Sequence, residues 1–207
     1  VAKCRKIFHE RKIGHTGTLD PEASGLMIIL LGKYTKLLPY CVKNHKAYQA
    51  TLKLGEMTDT EDIWGTIINT KTPSIHTEAE IDNAVQSLTG DILQVPPMYS
   101  ALKKDGKKLY EYARQGIEIE REARPVHIST LKVEKINDTN YRMNAVVSSG
   151  TYIRTLITDF GKQLDELAIM SSLIRTKIEH LSLKDACTFE DLESGVSFLS
   201  PIQVIDP

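Results

Sequence analysis

Asp20 is the residue whose setting most clearly suggests chemistry. It lies in the stretch KIGHTGTLDPEASGLMIILLGKYTK, between a glycine-rich segment and an apolar run. Gly14 and Gly17 permit a positive φ or the close approach of a ligand, and Pro21 biases Asp20 away from the helical region. The short apolar run at residues 25–31 is predicted to be a buried strand. The pattern therefore predicts a stiff loop that delivers one carboxylate to the mouth of a buried strand.

Taken alone, this loop is compatible with several interpretations. Aspartate before proline often only caps a turn, and spacing alone favours that interpretation. A phosphate-binding loop is weakly supported, because the stretch lacks a Gly-Lys-Ser/Thr ending. An aspartate-dependent hydrolase is disfavoured, because no second carboxylate or metal constellation accompanies Asp20. Four acids in EMTDTED would suit Mg²⁺ but are more typical of an acidic solvated loop: Glu56, Asp59, Glu61 and Asp62. We therefore expect no metal site here.

The charge distribution favours a polyanionic partner more than the net charge of −1 does. Residues 1–48 carry nine Lys or Arg side chains against three acidic ones, a net +6 that leaves −7 for the rest. This basic segment includes Lys36, at the end of the Asp20 stretch. A second basic cluster, which we call the lysine hairpin, surrounds an Asp-Gly turn signal and consists of Lys103, Lys104, Lys107 and Lys108. Each cluster alone would be typical of a solvated face, but two that flank a suspected site indicate contacts with phosphates.

Length and composition indicate the general class of protein to which the chain belongs. A chain of 207 residues that is 41% hydrophobic can bury one large core. No apolar run is long enough to span a membrane, and three well-separated cysteines predict reduced thiols in a cytoplasmic protein.

Both strands and helices are predicted around Asp20, and they do not strictly alternate along the sequence. Besides residues 25–31, strands are predicted at residues 47–55, 125–136 and 141–149. Helices are predicted at residues 1–8, 77–88 (with a Thr-x-x-Glu capping box), 109–115, 152–167 and 188–192. This mixture predicts an α+β fold with a mixed, largely antiparallel sheet flanked by helices.

Longer motifs now indicate a family. The segment GHTGTLDPEASGLMIILLGKYTK resembles the catalytic motif of the TruB family of tRNA pseudouridine synthases. KAYQATLKLGEMTDTEDIWG, QVPPMYSALKKDGKKLYEYARQGIEIEREARPV and SSGTYIRTLITDFGKQL resemble further family segments, in the same order. The resemblance implies a pseudouridine-synthase core at residues 1–193, without its first strand. It also implies that residues 194–207 begin the connection to a missing C-terminal RNA-binding domain of the PUA type.

The resemblance also implies roles in the chemistry. Asp20 aligns with the family's catalytic aspartate, and a carboxylate suits attack on the sugar or the base of uridine. Arg154 aligns with the arginine that pairs with this aspartate, and such a partner favours a charged carboxylate. Tyr152 aligns with a tyrosine near uracil C5 that assists deprotonation.

Other aligned residues would bind the substrate. Tyr48 aligns with a tyrosine that stacks on the flipped uracil, and Leu173 with an apolar residue that packs around the base. His15 aligns with a histidine that fills the space vacated by the target nucleotide. Without the family, Tyr48 and Leu173 are more typical of core residues. Lys36 and the lysine hairpin are expected to contact RNA.

The resemblance therefore predicts isomerisation of uridine 55 in the T loop of tRNA to pseudouridine. The predicted partner is the T-arm of tRNA, with no cofactor, metal, membrane or protein partner. Two alternatives stay open: a catalytically idle module that binds or folds tRNA, and a pseudouridine synthase that acts on another RNA.

Overall fold

A computed structural model describes residues 1–41 and 45–195 of the chain. Within these residues the α-helices are α1 Ala2–Ile7, α2 Leu38–Cys41, α3 Glu78–Ser87, α4 Leu109–Ala113, α5 Ile153–Gln163 and α6 Phe189–Glu193. Two short 3₁₀ helices cover Gly32–Leu37 and Leu183–Asp185. The predicted helices at both ends, at the capping box and after the lysine hairpin are confirmed. None of the described helices is long and apolar enough to cross a membrane.

The strands of the described chain fall into one large sheet and three two-stranded ribbons. They are β1 Ile13–His15, β2 Ser24–Gly25, β3 Ile29–Leu31, β4 Lys46–Leu54, β5 Glu56–Thr58, β6 Ile67–Thr70, β7 Gly90–Gln94, β8 Lys103–Lys104, β9 Lys107–Lys108, β10 Arg124–Lys135, β11 Asn140–Val147, β12 Ala168–Ile178 and β13 Leu181–Ser182. The large sheet has the order β13-β12-β4-β11-β10-β7, with β2 paired to β12, and the ribbons are β1-β3, β5-β6 and β8-β9.

Only the β2–β12 pair of the large sheet is parallel among the described strands. This arrangement confirms the predicted α+β fold with a mixed, largely antiparallel sheet. Helices α3 and α5 pack on one face, where alternate residues of the central strands join the core. On β4 the buried face carries Ala50, Leu52 and Leu54, and Tyr48 continues this face toward the strand's beginning.

The apolar run at residues 25–31 is not the single buried strand that the sequence predicts. Its first residue belongs to β2 and pairs with β12, whereas Ile29–Leu31 forms β3 and pairs with β1. At Gly25, where φ is 109°, a Cβ atom would lie 2.3 Å from the carbonyl oxygen of Arg175. The backbone approaches β12 so closely here that only glycine fits, and the chain then turns away to a second partner.

Two further differences concern β12 and α5. Strand β12 was not predicted, because its sequence AIMSSLIRTKI interrupts the apolar pattern with serines and an arginine. Bulges near Ser172 and Lys177 shift its register against β4 and accommodate these interruptions. Helix α5 ends at Gln163 rather than near residue 167, since Asp165 adopts a left-handed conformation with φ 55°. Most of the predicted segment 194–207 lies outside the described residues.

Candidate active site

Asp20 and Arg154 form a bidentate ion pair. Arg154 Nε donates to Asp20 Oδ2 at 2.8 Å, and Nη2 donates to Oδ1 at 3.1 Å. The arginine is only 4% exposed, whereas the carboxylate of Asp20 remains 36% exposed. Paired hydrogen bonds of this kind fix the plane of a carboxylate as well as its charge. Arg154 thus orients the Asp20 carboxylate, and the exposed part of that carboxylate faces solvent.

Arg154 is itself held by the backbone. Its Nη1 donates to the carbonyl of Thr60 at 2.8 Å, and Nη2 donates to the carbonyl of Tyr99 at 2.9 Å. Because Arg154 lies in the first turn of α5, these bonds join that helix to two loops from other parts of the chain. These bonds fix the guanidinium of Arg154, which therefore positions Asp20 as a rigid hydrogen-bond donor.

The main chain of Asp20 does form a turn, as spacing alone favours. The amide of Ala23 donates to the carbonyl of Asp20 at 3.0 Å, which closes a turn over Pro21 and Glu22. The turn uses this carbonyl, and Arg154 binds the carboxylate. The two interpretations of Asp20 are therefore compatible, since they involve different atoms.

A cleft of about 770 Å³ opens above this ion pair. Of the residues assigned to the site from the sequence, five line it: Asp20, Tyr48, Tyr152, Arg154 and Leu173. They come from the Asp20 loop, β4, the start of α5 and β12, so the fold joins distant parts of the sequence here. A cleft of this size is suitable for one nucleoside with its flanking groups.

Tyr152 is fixed by a glutamine that the sequence analysis missed. Gln94, at the end of β7 and 2% exposed, donates from Nε2 to the Tyr152 carbonyl at 3.1 Å. Its Oε1 accepts from the Tyr152 amide at 2.8 Å. Burial raises the pKa of the Tyr152 hydroxyl above its ordinary value. Tyr152 therefore faces the cleft as a neutral phenol at pH 7.

Arg175 is a second buried arginine of the cleft wall that was not assigned a role. It is 1% exposed, and its Nε donates to the carbonyl of Leu26 at 2.7 Å, whereas Nη2 lies 3.4 Å from the carbonyl of Gly17. Burial raises the pKa of Tyr48, although the charge of Arg175 and its hydrogen bond to Tyr48 oppose this increase. Arg175 thus joins β12 to both sides of the Asp20 loop and to Tyr48. The sequence gives no local signal for this role, since AIMSSLIRTKI contains other polar residues as well.

His15 and the predicted RNA-contacting lysines do not line the cleft in the described structure. His15 ends β1, is half-buried and precedes the lining residue Thr16; its Nδ1 is buried without a hydrogen-bond partner among the described residues. Lys36 is exposed in the first 3₁₀ helix, and Lys43 lies outside the described residues.

The lysine hairpin is a β-ribbon, β8–β9, with positive φ at Asp105 and Gly106, as the turn signal predicts. Helix α4 follows it directly, and both Tyr110 of that helix and its C-cap residue Arg114 line the cleft. Hence the lysine hairpin adjoins the cleft through α4.

The EMTDTED segment is not simply an acidic solvated loop. Glu61 accepts a hydrogen bond from Thr155 Oγ1 at 2.7 Å, and burial raises the pKa of its carboxyl. Asp62 lines the cleft and accepts from Thr60 Oγ1 at 2.6 Å. Across residues 1–41 and 45–195, no cluster of three His, Cys, Asp or Glu side chains is arranged to hold a metal ion.

Comparison with known sequences supplies a family. Residues 5–153 match the N-terminal domain of the TruB family pseudouridylate synthases. The tRNA pseudouridine synthase B of Oceanobacillus iheyensis is 43% identical over 210 residues, which cover 100% of this chain and 69% of the relative. The protein of the same name from Clostridium perfringens is 46% identical over 193 residues, 93% of this chain and 66% of the relative. The chain spans about two thirds of the length of these relatives.

Comparison with solved structures gives the same fold. A crystal structure of a Cbf5-Nop10-Gar1 complex superposes with a TM-score of 0.70 at 27% sequence identity. The match covers 93% of this chain and 48% of the other. The fold described above is therefore shared with the matched chain of that complex.

Proposed function

The chain belongs to the TruB family of pseudouridylate synthases, as its motifs predict, and on that premise we propose that it converts uridine 55 in the T loop of tRNA to pseudouridine. The observation that carries this proposal is the bidentate Arg154–Asp20 pair at the base of a nucleoside-sized cleft. An oriented carboxylate with one face open to solvent is suited to attack an electrophilic carbon of the sugar or the base.

The reaction is an isomerisation that needs no redox partner. Asp20 acts as the nucleophile while the bond between N1 and C1′ breaks and the uracil is detached but retained. The base then turns so that C5 bonds to C1′. The C5 proton leaves, N1 gains a proton, and Asp20 is released unchanged. Because atoms and electrons balance within the nucleotide, the side chains of the cleft are sufficient reagents.

The aromatic residues retain and deprotonate the base. Tyr48 stacks on the uracil, and such stacking is worth about 1–3 kcal/mol, enough to keep a detached base in the cleft. Leu173 packs around its edge. The neutral Tyr152, held by Gln94, relays the C5 proton to water: its oxygen receives the proton from C5 as its own hydroxyl proton passes to solvent.

The substrate must leave its stack before it reaches Asp20. Extruding a nucleotide costs a few kcal/mol, which a side chain that occupies its place can offset. His15, directly before the Asp20 loop, takes that position in the proposal. The lysine hairpin and the basic N-terminal segment, including Lys36, grip the T-arm.

Tritium release tests the function directly. tRNA labelled with tritium at uracil C5 is incubated with the chain, and we expect about one equivalent of tritium in water per tRNA. The same tRNA with cytidine at position 55 releases none. Binding of tRNA without tritium release would instead identify an idle RNA-binding module, and release that survives the cytidine substitution would identify a different target.

A further inference from the structure

Trp64 is an aromatic residue of the cleft that the mechanism above does not use. It is the only tryptophan in the chain, its side chain lies in the β5–β6 connection, and the residue is 49% exposed. It lines the same cleft as Asp20 and Tyr48. A large indole held half in solvent at the cleft indicates a surface that is covered when a ligand is bound.

The loop that carries Trp64 is rigid. The Trp64 amide donates to Asp62 Oδ1 at 3.1 Å, and Thr58 Oγ1 donates to the Asp62 carbonyl at 2.6 Å. The Ile63 amide donates to the Met170 carbonyl of β12 at 2.9 Å. At Gly65 a Cβ atom would lie 2.2 Å from Thr60 Oγ1. The indole is therefore presented from a preorganised turn, which lowers the entropy cost of binding.

This turn is also connected to the reacting pair. It supplies the Thr60 carbonyl that accepts from Arg154 Nη1, and Asp59 Oδ2 lies 3.4 Å from the hydroxyl of Tyr99. Tyr99, Tyr110 and Arg114 line the cleft together with Trp64. Aromatic rings and guanidinium groups around one opening provide stacking surfaces for unpaired bases.

We infer that Trp64 stacks on an unpaired nucleobase of the substrate RNA, adjacent to the nucleotide that enters the cleft. This inference rests on the proposed function. A base fits better than an apolar protein segment, because the cleft that Trp64 lines also presents charged groups, Asp20 and Arg114. The apolar alternative has its own surface on the same ribbon, where Ile67 and Ile68 are 55% and 60% exposed.

Fluorescence of the single tryptophan tests the inference, with a T-arm stem-loop RNA as the probe. The full chain with Asp20→Asn is titrated, and binding is followed independently by anisotropy of the labelled RNA. We expect the indole emission to change in parallel with the anisotropy. Trp64→Ala should weaken binding roughly 5- to 100-fold, the loss of one stacked base, and Trp64→Phe should restore most of it. Ile68→Ala, on the same ribbon but away from the cleft, should bind like the parent.

RNAs that lack one loop base at a time locate the partner. For one position, removing the base should weaken RNA binding by the chain that keeps Trp64. The same abasic RNA should bind the Trp64→Ala variant no more weakly than the intact RNA does, which is the signature of a direct contact. RNA binding without a change in indole emission, or an equal loss in Ile68→Ala, overturns the inference. Absence of any RNA binding overturns it together with the proposed function, whereas RNA binding without tritium release by the parent overturns only the proposed function.

Discussion

At the scale of single residues, the two halves of Asp20 have separate partners. Its carbonyl closes the turn to Ala23, and its carboxylate receives both hydrogen bonds from Arg154. The turn fixes where the residue lies, and the arginine fixes how its oxygens point. A change in the side chain alone should therefore leave the loop intact.

Asp20→Asn should keep the fold and tRNA binding but lose turnover by about 10⁴-fold or more, because the amide is nearly isosteric and cannot act as the nucleophile. Tritium release in single turnover measures the loss. Asp82→Asn is the matched control, since it makes the same chemical change at an exposed position of α3 that does not line the cleft. If Asp20→Asn stays within tenfold of the parent rate, Asp20 is not the catalytic group.

Arg154→Ala should reduce the single-turnover rate by about 100-fold or more, while tRNA affinity changes little. The reason is that Asp20 loses its orientation, and misplacement by about 1 Å can cost 10² in rate. It should also destabilise the fold by about 1–3 kcal/mol, since the carbonyls of Thr60 and Tyr99 lose their hydrogen-bond donor. Arg154→Lys keeps the charge without the bidentate geometry and separates these effects. Equal losses of rate and affinity would instead make Arg154 a phosphate contact.

At the scale of elements, a buried carboxylate fastens the segment between β6 and α3. The side chain of Glu166 is 1% exposed, and its Oε1 accepts from the Ser74 amide at 2.8 Å and lies 3.3 Å from His76 Nε2. Lys71 Nζ is 3.9 Å from Oε2. Burial is the largest single effect on Glu166 and opposes ionisation, but the bonds to Ser74, the charge of Lys71 and the bond to His76 outweigh it and lower the pKa.

The stability of the chain should therefore depend on pH through Glu166. A lowered pKa in the folded state means that the ionised carboxylate stabilises fully above the unfolded pKa of about 4.3, and that this contribution disappears as pH falls through the lower folded value. Glu166→Gln should be less stable than the parent by about 2 kcal/mol at pH 7, with the difference shrinking below pH ~4. Urea unfolding at several pH values measures it.

Asp165→Asn is the matched control for this pH series. Asp165 is the adjacent carboxylate, it also pairs with Lys71, and its side chain is fully exposed. Exposed pairs of this kind contribute about 0–1 kcal/mol. A loss in Asp165→Asn equal to that in Glu166→Gln, or a difference that persists at low pH, would contradict the role of Glu166.

Elements with regular patterns could be predicted from the sequence, and those that depend on distant partners could not. The capping box of α3 and the Asp-Gly turn of the lysine hairpin are local signals, and the structure confirms both. Strand β12 escaped prediction because its two serines and its arginine are polar residues whose partners are far away in the sequence. Arg175 is buried only because the carbonyls of Leu26 and Gly17 are brought to it.

The same distinction holds for the site. The resemblance pairs Asp20 with Arg154, and the structure joins these two residues by hydrogen bonds although 134 positions separate them. The sequence around Gln94 gives no sign of its role. Its hydrogen bonds to the amide and carbonyl of Tyr152 form only when the fold brings the two residues together.

At the scale of the whole molecule, basic residues that are far apart in the sequence lie near the same cleft in the fold. The basic N-terminal segment contributes the Asp20 loop, and the lysine hairpin adjoins the cleft through α4, although it belongs to the acidic part of the sequence. Lys103, Lys104 and Lys107 are exposed, as phosphate contacts must be. The far end of the sheet also carries lysines, Lys132 and Lys135 on β10, where this strand runs away from the cleft.

Replacing all four lysines of the hairpin by glutamine should weaken tRNA binding and flatten its salt dependence. The slope of log affinity against log salt should fall by about one unit for each phosphate contact that is lost. Affinity should suffer far more than the single-turnover rate at saturating tRNA, because these groups position the substrate and do no chemistry. Replacing Lys132 and Lys135 by glutamine removes half as much charge at a site away from the cleft, and it should leave the slope unchanged, since the number of counterions released on binding depends on the phosphate contacts. An unchanged slope in the hairpin variant would show that the lysine hairpin is a solvated turn and that the N-terminal basic face alone grips the RNA.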